Sequence, residues 1–455
     1  MIEITTKIHD RFSIEFKVGF VADGKSQDEF LVGMWIFVPG SLDITPTTFT
    51  KAEFYRSVKS NIRLITPHFP LASIAGGDAV PLRNVQTASD EEREYRMKLF
   101  CAITRSALRD GRNAIRNAEG PESERLSHEY VAAAREILNG FFKLPACEGS
   151  DYCGEFLCNV VTQYAFGALP ASGAAAPEIK ALLHEVEAIR AGHSYAGVSL
   201  TDAECNRDFV HRHSILKKYV ESQLYLRVPR KRDGVLAEQA YFSLAAGMAM
   251  IFATVVAWAF QRTFGNLTWP LFIALIISYM MKDRIKELMR FWFAHRVSDK
   301  YFDRKAKMSS HGIEIGQLKE AMDFIPLDKV PEDIDAWRNR IHLFSAEDRF
   351  RDENVILYRK KVQLDRQKLE QTSTYAYDGV NDIIRIQVRP FLRKMDNPQS
   401  CIYTLDESGE PVSIPCDRDY FINIILQYRY AETVEYKRFR IALNRDGIKS
   451  IDEIK

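Results

Sequence analysis

Residues 241–260 read YFSLAAGMAMIFATVVAWAF, a stretch without a single charge. As a helix, a run of this length rises about 30 Å, the thickness of a bilayer's hydrocarbon core. A second uncharged run, 264–281, follows a short link that contains Arg262. Pro270 suits the first turn of its helix. The part beyond Pro270 is short for a full span unless the local bilayer thins.

The flanks agree with insertion. Residues 211–232 carry seven Lys/Arg and one acid, and 282–307 carry nine Lys/Arg and four acids. Basic residues stay on the cytoplasmic side, so both flanks are expected there and the link outside. Trp258, Phe260, Phe264 and Trp269 mark one interface, Tyr241 and Tyr279 the other. Arg227, Arg230, Lys231, Arg232, Lys282, Arg284 and Lys286 are the expected contacts to anionic headgroups. Ala245, Ala249, Ala253 and Ala257 recur every fourth residue, a small-residue stripe that Ala274 and Ser278 match on the second run. Such stripes let helices approach closely, within the hairpin or between copies. A buried helical hairpin in a soluble protein is the competing reading.

Moving outward, the N-terminal flank opens with β structure. Phe12, Ile14, Phe16, Val18 and Phe20 alternate with polar residues or glycine, and 31–38 (LVGMWIFV) reads as a partner strand. Capping boxes at Thr50 with Glu53, Ser89 with Glu92 and Thr201 with Glu204 predict three helix starts. Residues 73–88 and 170–177 (PASGAAAP) read as linkers. After the second run, Ile285, Leu288, Met289, Trp292 and Phe293 share one face of a basic amphipathic helix. From about Val355 the chain turns to strands: Ile356, Tyr358, Lys360, Val362 and Leu364 alternate, as do Ile422, Ile424, Leu426, Tyr428 and Tyr430.

The expected fold is therefore an α+β membrane protein. A two-helix transmembrane hairpin separates an N-terminal β-hairpin and helical cytoplasmic region from a C-terminal antiparallel β domain. The expected boundaries are 1–72 (β-hairpin plus helix), 73–89 (linker), 90–234 (helical region), 235–281 (hairpin, with helices at about 237–260 and 266–281), 282–350 (basic amphipathic helix and connector) and 351–455 (β domain).

Composition excludes several classes. Lys+Arg is 62 and Asp+Glu 61, a net charge of +1 that argues against a nucleic-acid coat. Hydrophobic residues are 46% and charged residues 27%, which excludes global disorder. Seven cysteines without a dense framework argue against a disulfide-stapled secreted domain. The start, MIEITTKIHD, shows no cleavable signal sequence.

Three motifs invite chemistry, and their context argues against each. Residues 19–26 (GFVADGKS) match the phosphate-loop pattern through Gly19, Gly24, Lys25 and Ser26. A phosphate loop needs a helix next; here an apolar strand follows, and Asp23-Gly24 reads as a hairpin turn. Residues 192–196 (GHSYA) approach a nucleophile elbow, but a helix precedes them where a strand is required. Cys147, Cys153 and Cys158 cluster without a fourth ligand at zinc spacing, and His211 and His213 point to different helical faces. No metal or cofactor is expected, and the pattern points away from an enzyme. The basic segments 359–361 and 385–393 read as solvated strand faces, with no specific nucleic acid as partner.

The expected role is that of a two-pass inner-membrane protein with both termini cytoplasmic, whose partners are the lipid bilayer and an unknown cytoplasmic protein. It would tether binding, sensing or scaffolding domains. A homo-oligomeric pore or membrane-disrupting effector is the alternative from a different class, followed by a membrane-attached P-loop NTPase.

Overall fold

The computed structural model describes residues 2–21, 27–76, 89–265, 268–298, 302–310, 312–339, 352–371, 377, 379–430 and 432–454. Two compact units emerge: Met1–Asn61 with Arg227–Thr372 and Asp382–Lys455, and Ile62–Leu226 with Ser373–Asn381.

The strands are β1 (Ile2–Asp10), β2 (Ser13–Val21), β3 (Gln27–Pro39), β4 (Val58–Leu64), β5 (Arg230–Arg232), β6 (Arg304–Ser310), β7 (Ile313–Ile325) and β8 (Glu353–Asp365). There follow β9 (Gly379–Gln387), β10 (Gln399–Leu405), β11 (Pro411–Asp417), β12 (Tyr420–Tyr430), β13 (Thr433–Asn444) and β14 (Gly447–Ile454). One eight-stranded sheet runs β14-β13-β12-β3-β8-β7-β6-β5, a four-stranded one β1-β2-β9-β4, and β10-β11 form a separate ribbon.

The alternation read from the sequence sets the buried face of the large sheet. Ile356, Tyr358, Lys360, Val362 and Leu364 of β8 are all buried, as are Ile422, Ile424, Leu426, Tyr428 and Tyr430 of β12. Across that face Phe20 of β2 lies 4.5 Å from Phe30 of β3, and Phe16 lies 5.7 Å from Phe439 of β13, ring centre to ring centre. β3 is apolar along most of its length because both its faces are covered. Met34 and Ile36 share the face of Tyr358 and Ile356, whereas Trp35 and Phe37 pack with Ile334 of a short helix, Glu332–Arg338.

β3 lies between β8 and β12, so the C-terminal strands do not close a domain of their own. The hairpin expected at Asp23-Gly24 is not found either: β2, which ends at Val21, and β3, which begins at Gln27, sit in different sheets, and 22–26 lie outside the described residues. The expected connector in 282–350 contains two of the large sheet's strands, β6 and β7. The ribbon β10-β11 turns around residues 406–410 and pairs Ile402 with Ile414.

α1 (Lys51–Ser57) starts with the full capping box: the Glu53 amide donates to Thr50 Oγ1 at 3.3 Å, and the Thr50 amide to Glu53 Oε2 at 2.9 Å. The second unit is mainly helical: α2 (Leu71–Ala75), α3 (Asp90–Asn117), α4 (Pro121–Phe142), α5 (Ser150–Ala168), α6 (Ala176–Gly192) and α7 (Ala203–Glu221). Ser89 caps α3 as expected, but Asp202, not Thr201, caps α7 by accepting from the Glu204 and Cys205 amides. Of the expected linker 73–89, residues 77–88 lie outside the described residues.

α8 (Val235–Phe264) and α9 (Trp269–Ser298) form the hairpin. Among the described residues one helix, Gln239–Thr263, is long and apolar enough to cross a membrane. The expectation of two transmembrane helices is overturned. The apolar part of α9 ends at Met281, before Lys282, Asp283, Arg284 and Lys286. Residues 269–281 rise only about 20 Å as a helix, against about 30 Å of hydrocarbon. β5 enters the hairpin, β6 leaves it, and the two pair antiparallel, so both feet of the hairpin stand on one sheet.

Candidate functional site

A charged cluster sits inside the β unit, where an apolar core is the rule. Lys360 occupies an inward position of β8, 1% exposed. Burying an unpaired ammonium is prohibitive, so partners must converge on it. Lys360 Nζ lies 2.6 Å from the carboxylate of Asp382 on β9 and 2.5 Å from Ser60 Oγ on β4. Glu320 of β7, opposite Lys360 in register, is 4.0 Å away. It accepts from Tyr358 Oη at 2.9 Å and from Arg230 Nε at 3.0 Å. Arg230 also donates to the Ser60 carbonyl at 2.7 Å.

The carboxyls respond in opposite directions. Burial pushes Asp382 above its ordinary value, and Lys360 only partly offsets it. Burial also pushes on Glu320, but Lys360 and Arg230 outweigh it and hold that carboxyl below its ordinary value. Burial, with Glu320 beside it, raises the Tyr358 hydroxyl well above the usual phenol range.

A cavity of about 280 Å³ adjoins this cluster, lined by Tyr55, Val58, Lys59, Ser60, Asn61, Arg230, Arg304, Glu320 and Tyr358. Thus three cations and one carboxylate face it. Tyr55 is oriented by a 2.9 Å bond to Asp303, which Lys51 also holds at 2.8 Å. The Arg304 guanidinium lies over the Tyr55 ring, 3.9 Å from its centre. Such a cavity can bind a small polar ligand.

Arg230 therefore lies within the β unit, paired with Glu320. Arg227, Lys231 and Arg232 are exposed or edge residues of the same segment, and Arg227 bridges by its backbone to Ser309. Lys282 lies over the Tyr279 ring at 4.0 Å, Arg284 is exposed and Lys286 half-buried. Of the basic strand segment 359–361, Lys360 is buried, contrary to the solvated face expected. Arg359 and Lys361, on the opposite face, pair with Asp323 and Glu29.

The hairpin is the reverse of this core. Only 11% of the most apolar part of α8 is buried. Ile251, Val255 and Trp258 on α8 and Phe272, Ile277 and Met280 on α9 are all more than half exposed. The small-residue stripe is where the helices meet: Ala245, Ala249, Ala274 and Ser278 are buried, Ala253 and Ala257 half-buried. Ser278 Oγ donates to the Ala253 carbonyl at 3.4 Å. An apolar groove of about 450 Å³ between the helices includes Phe252, Val256, Trp269 and Ile273. On the amphipathic face of α9, Leu288 and Trp292 are more than half exposed, whereas Ile285 and Met289 are half-buried.

The motifs set aside on context fare as follows. Gly19 is a β2 residue paired with Glu3, while Gly24, Lys25 and Ser26 lie outside the described residues. Cys153 and Cys158 are buried thiols and Cys147 is half-buried, with its Sγ 3.5 Å from Met97 Sδ. No group of residues able to hold a metal ion occurs among the described residues. Ser194 follows the end of α6 in a left-handed conformation (φ 55°), a helix terminus and not a strand-to-helix elbow. His213 on α7 has its protonation disfavoured by burial.

Sequence reading missed the cavity. Its one legible trace is Lys360, a charge standing in an apolar register. Compared with family models, with curated proteins and with solved structures, the chain matches none.

Proposed function

We propose that this chain is a membrane-attached binding protein. α8 holds the β unit at a lipid surface, and the β unit presents a small-ligand cavity beside the base of that helix. The observation that carries this reading is the exposure of α8: a core helix would be covered, but its apolar side chains face outward. Because both feet of the hairpin stand on one sheet, α8 meets the bilayer from the side on which the β unit lies. α8 carries the insertion and α9 packs along it. The basic flanks favour the cytoplasmic face of a cell membrane.

Vesicle flotation tests this. Full-length protein should float with phosphatidylcholine vesicles. Ile251→Lys/Val255→Lys changes two exposed positions and should leave the fold intact. It should abolish most flotation, since each lysine costs about 2.5–3.5 kcal/mol at the bilayer centre. A wild-type protein that stays with the unbound fraction as a monodisperse species sinks the reading. If that species is a discrete oligomer, copies of the hairpin cover one another instead.

A further inference from the structure

The cavity at the base of the hairpin has cations left over. In the register of the large sheet Arg304 stands directly opposite Glu320, the natural partner for it. Glu320 is instead engaged by Arg230, Tyr358 and Lys360. Arg304 turns to the Tyr55 ring and has no carboxylate within ion-pair distance among the described residues. Lys59, on the cavity wall, has no ion-pair partner there either. Asp303, the neighbour of Arg304 in sequence, is occupied by Lys51, the Tyr55 hydroxyl and the Met322 amide. The cavity thus offers two uncommitted cations, an aromatic wall and hydrogen-bonding side chains, with its one carboxylate already satisfied.

We propose that this cavity binds a phosphate-bearing ligand, with Arg304 and Lys59 as its charge partners and Tyr55 as its wall. A phosphomonoester carries close to two negative charges at neutral pH and matches two uncompensated cations. The planar guanidinium of Arg304 suits a forked contact to phosphate oxygens, and Lys59 acts as a point charge. A cavity of about 280 Å³ leaves room beyond the phosphate group itself. Position adds a second argument. Arg304 lies on β6 just after α9, and Arg230 on β5 just before α8, so the cavity sits where the chain enters and leaves the hairpin. On the membrane-attachment reading, on which this part rests, a lipid headgroup can reach it; a soluble phosphomonoester has the same chemistry.

The test uses the full chain in phosphatidylcholine nanodiscs, with thermal melting as the readout. The probes are inorganic phosphate, glycerol 3-phosphate and short-chain phosphatidic acid, each against wild type and Arg304→Gln. Stabilisation of wild type by any of the three, with at least a tenfold weaker response in Arg304→Gln, is the expected result. Response to glycerol 3-phosphate identifies a soluble ligand, and response to phosphatidic acid alone identifies a headgroup. Lys59→Gln should weaken the same response without changing the melting temperature of the ligand-free protein. Equal responses in wild type and Arg304→Gln, or none in wild type, overturn the proposal. Vesicle flotation keeps the two readings apart: a protein that floats but ignores all three probes retains its anchor and loses this ligand.

Discussion

The β unit and the hairpin invert the usual rule in opposite senses. The β unit buries charge: Lys360, Asp382 and Glu320 are each at most 2% exposed. The hairpin exposes apolar surface, with Ile251 at 65% and Trp258 at 62%. Each inversion is stable only in a particular surrounding. Buried charges persist where partners and hydrogen bonds replace water. Exposed apolar side chains persist where lipid, or another apolar surface, replaces water. The same molecule therefore carries an interior that mimics solvent and an exterior that rejects it. The cavity lies in the first region, next to where the second begins.

The largest expected effect breaks the interior. Lys360→Met strands the Asp382 carboxylate and should cost about 3–5 kcal/mol in denaturant unfolding. Lys360→Met/Asp382→Leu should recover most of that loss, because removing both charges together leaves no buried ion. A double mutant as unstable as the single would mean that packing, not charge, holds the site.

A smaller effect is expected from the contact that joins the helices. Ala249 is 1% exposed on the stripe. Ala249→Leu should cost about 1–3 kcal/mol by overpacking and should raise the protease sensitivity of the hairpin. Val255→Leu, on the exposed side, should do neither. Equal behaviour of the two variants would show that the stripe is not the packing face.

The smallest effect is read by pH. Glu320 is held below its ordinary value of 4.5. Its ionised form therefore stabilises the fold fully above that value, and the contribution is lost as pH falls through the depressed one. Asp382 has the opposite sign: its raised value lets the folded state take up a proton first, so acidification removes a cost. Wild type should thus be more stable than Glu320→Gln at neutral pH, with the gap closing as pH falls below 4.5 in equilibrium unfolding. A gap that stays constant down to about pH 3 would show that ionisation of Glu320 does not matter.

What could be read without coordinates was local. The uncharged length of α8, the alanine spacing along it, the Thr50 and Ser89 caps and the alternations of β8 and β12 each depend on residues a few positions apart. α9 departs from expectation at its start. Uncharged residues 264–281 count as a run, but the helix starts at Trp269 and its charges begin at Lys282. The cavity was not legible. Its side chains come from α1, β4, β5, β6, β7 and β8, across residues 55 to 358. None carries a motif, and Arg230 and Arg304 looked like ordinary basic flank residues.

Alternation in a strand states which side chains are buried, because successive residues point to opposite faces. It does not state which strand lies alongside. Partner choice is made between residues hundreds of positions apart, and many pairings satisfy the same pattern. Helix length, capping and the apolar face of each strand thus follow from the sequence alone. The placement of β3 between β8 and β12, the pairing of β5 with β6 and the meeting of Lys360 with Asp382 follow only from the packed sheets. The hairpin's apolar character was set by its residues; that it rises beside a charged cavity was set by the sheet.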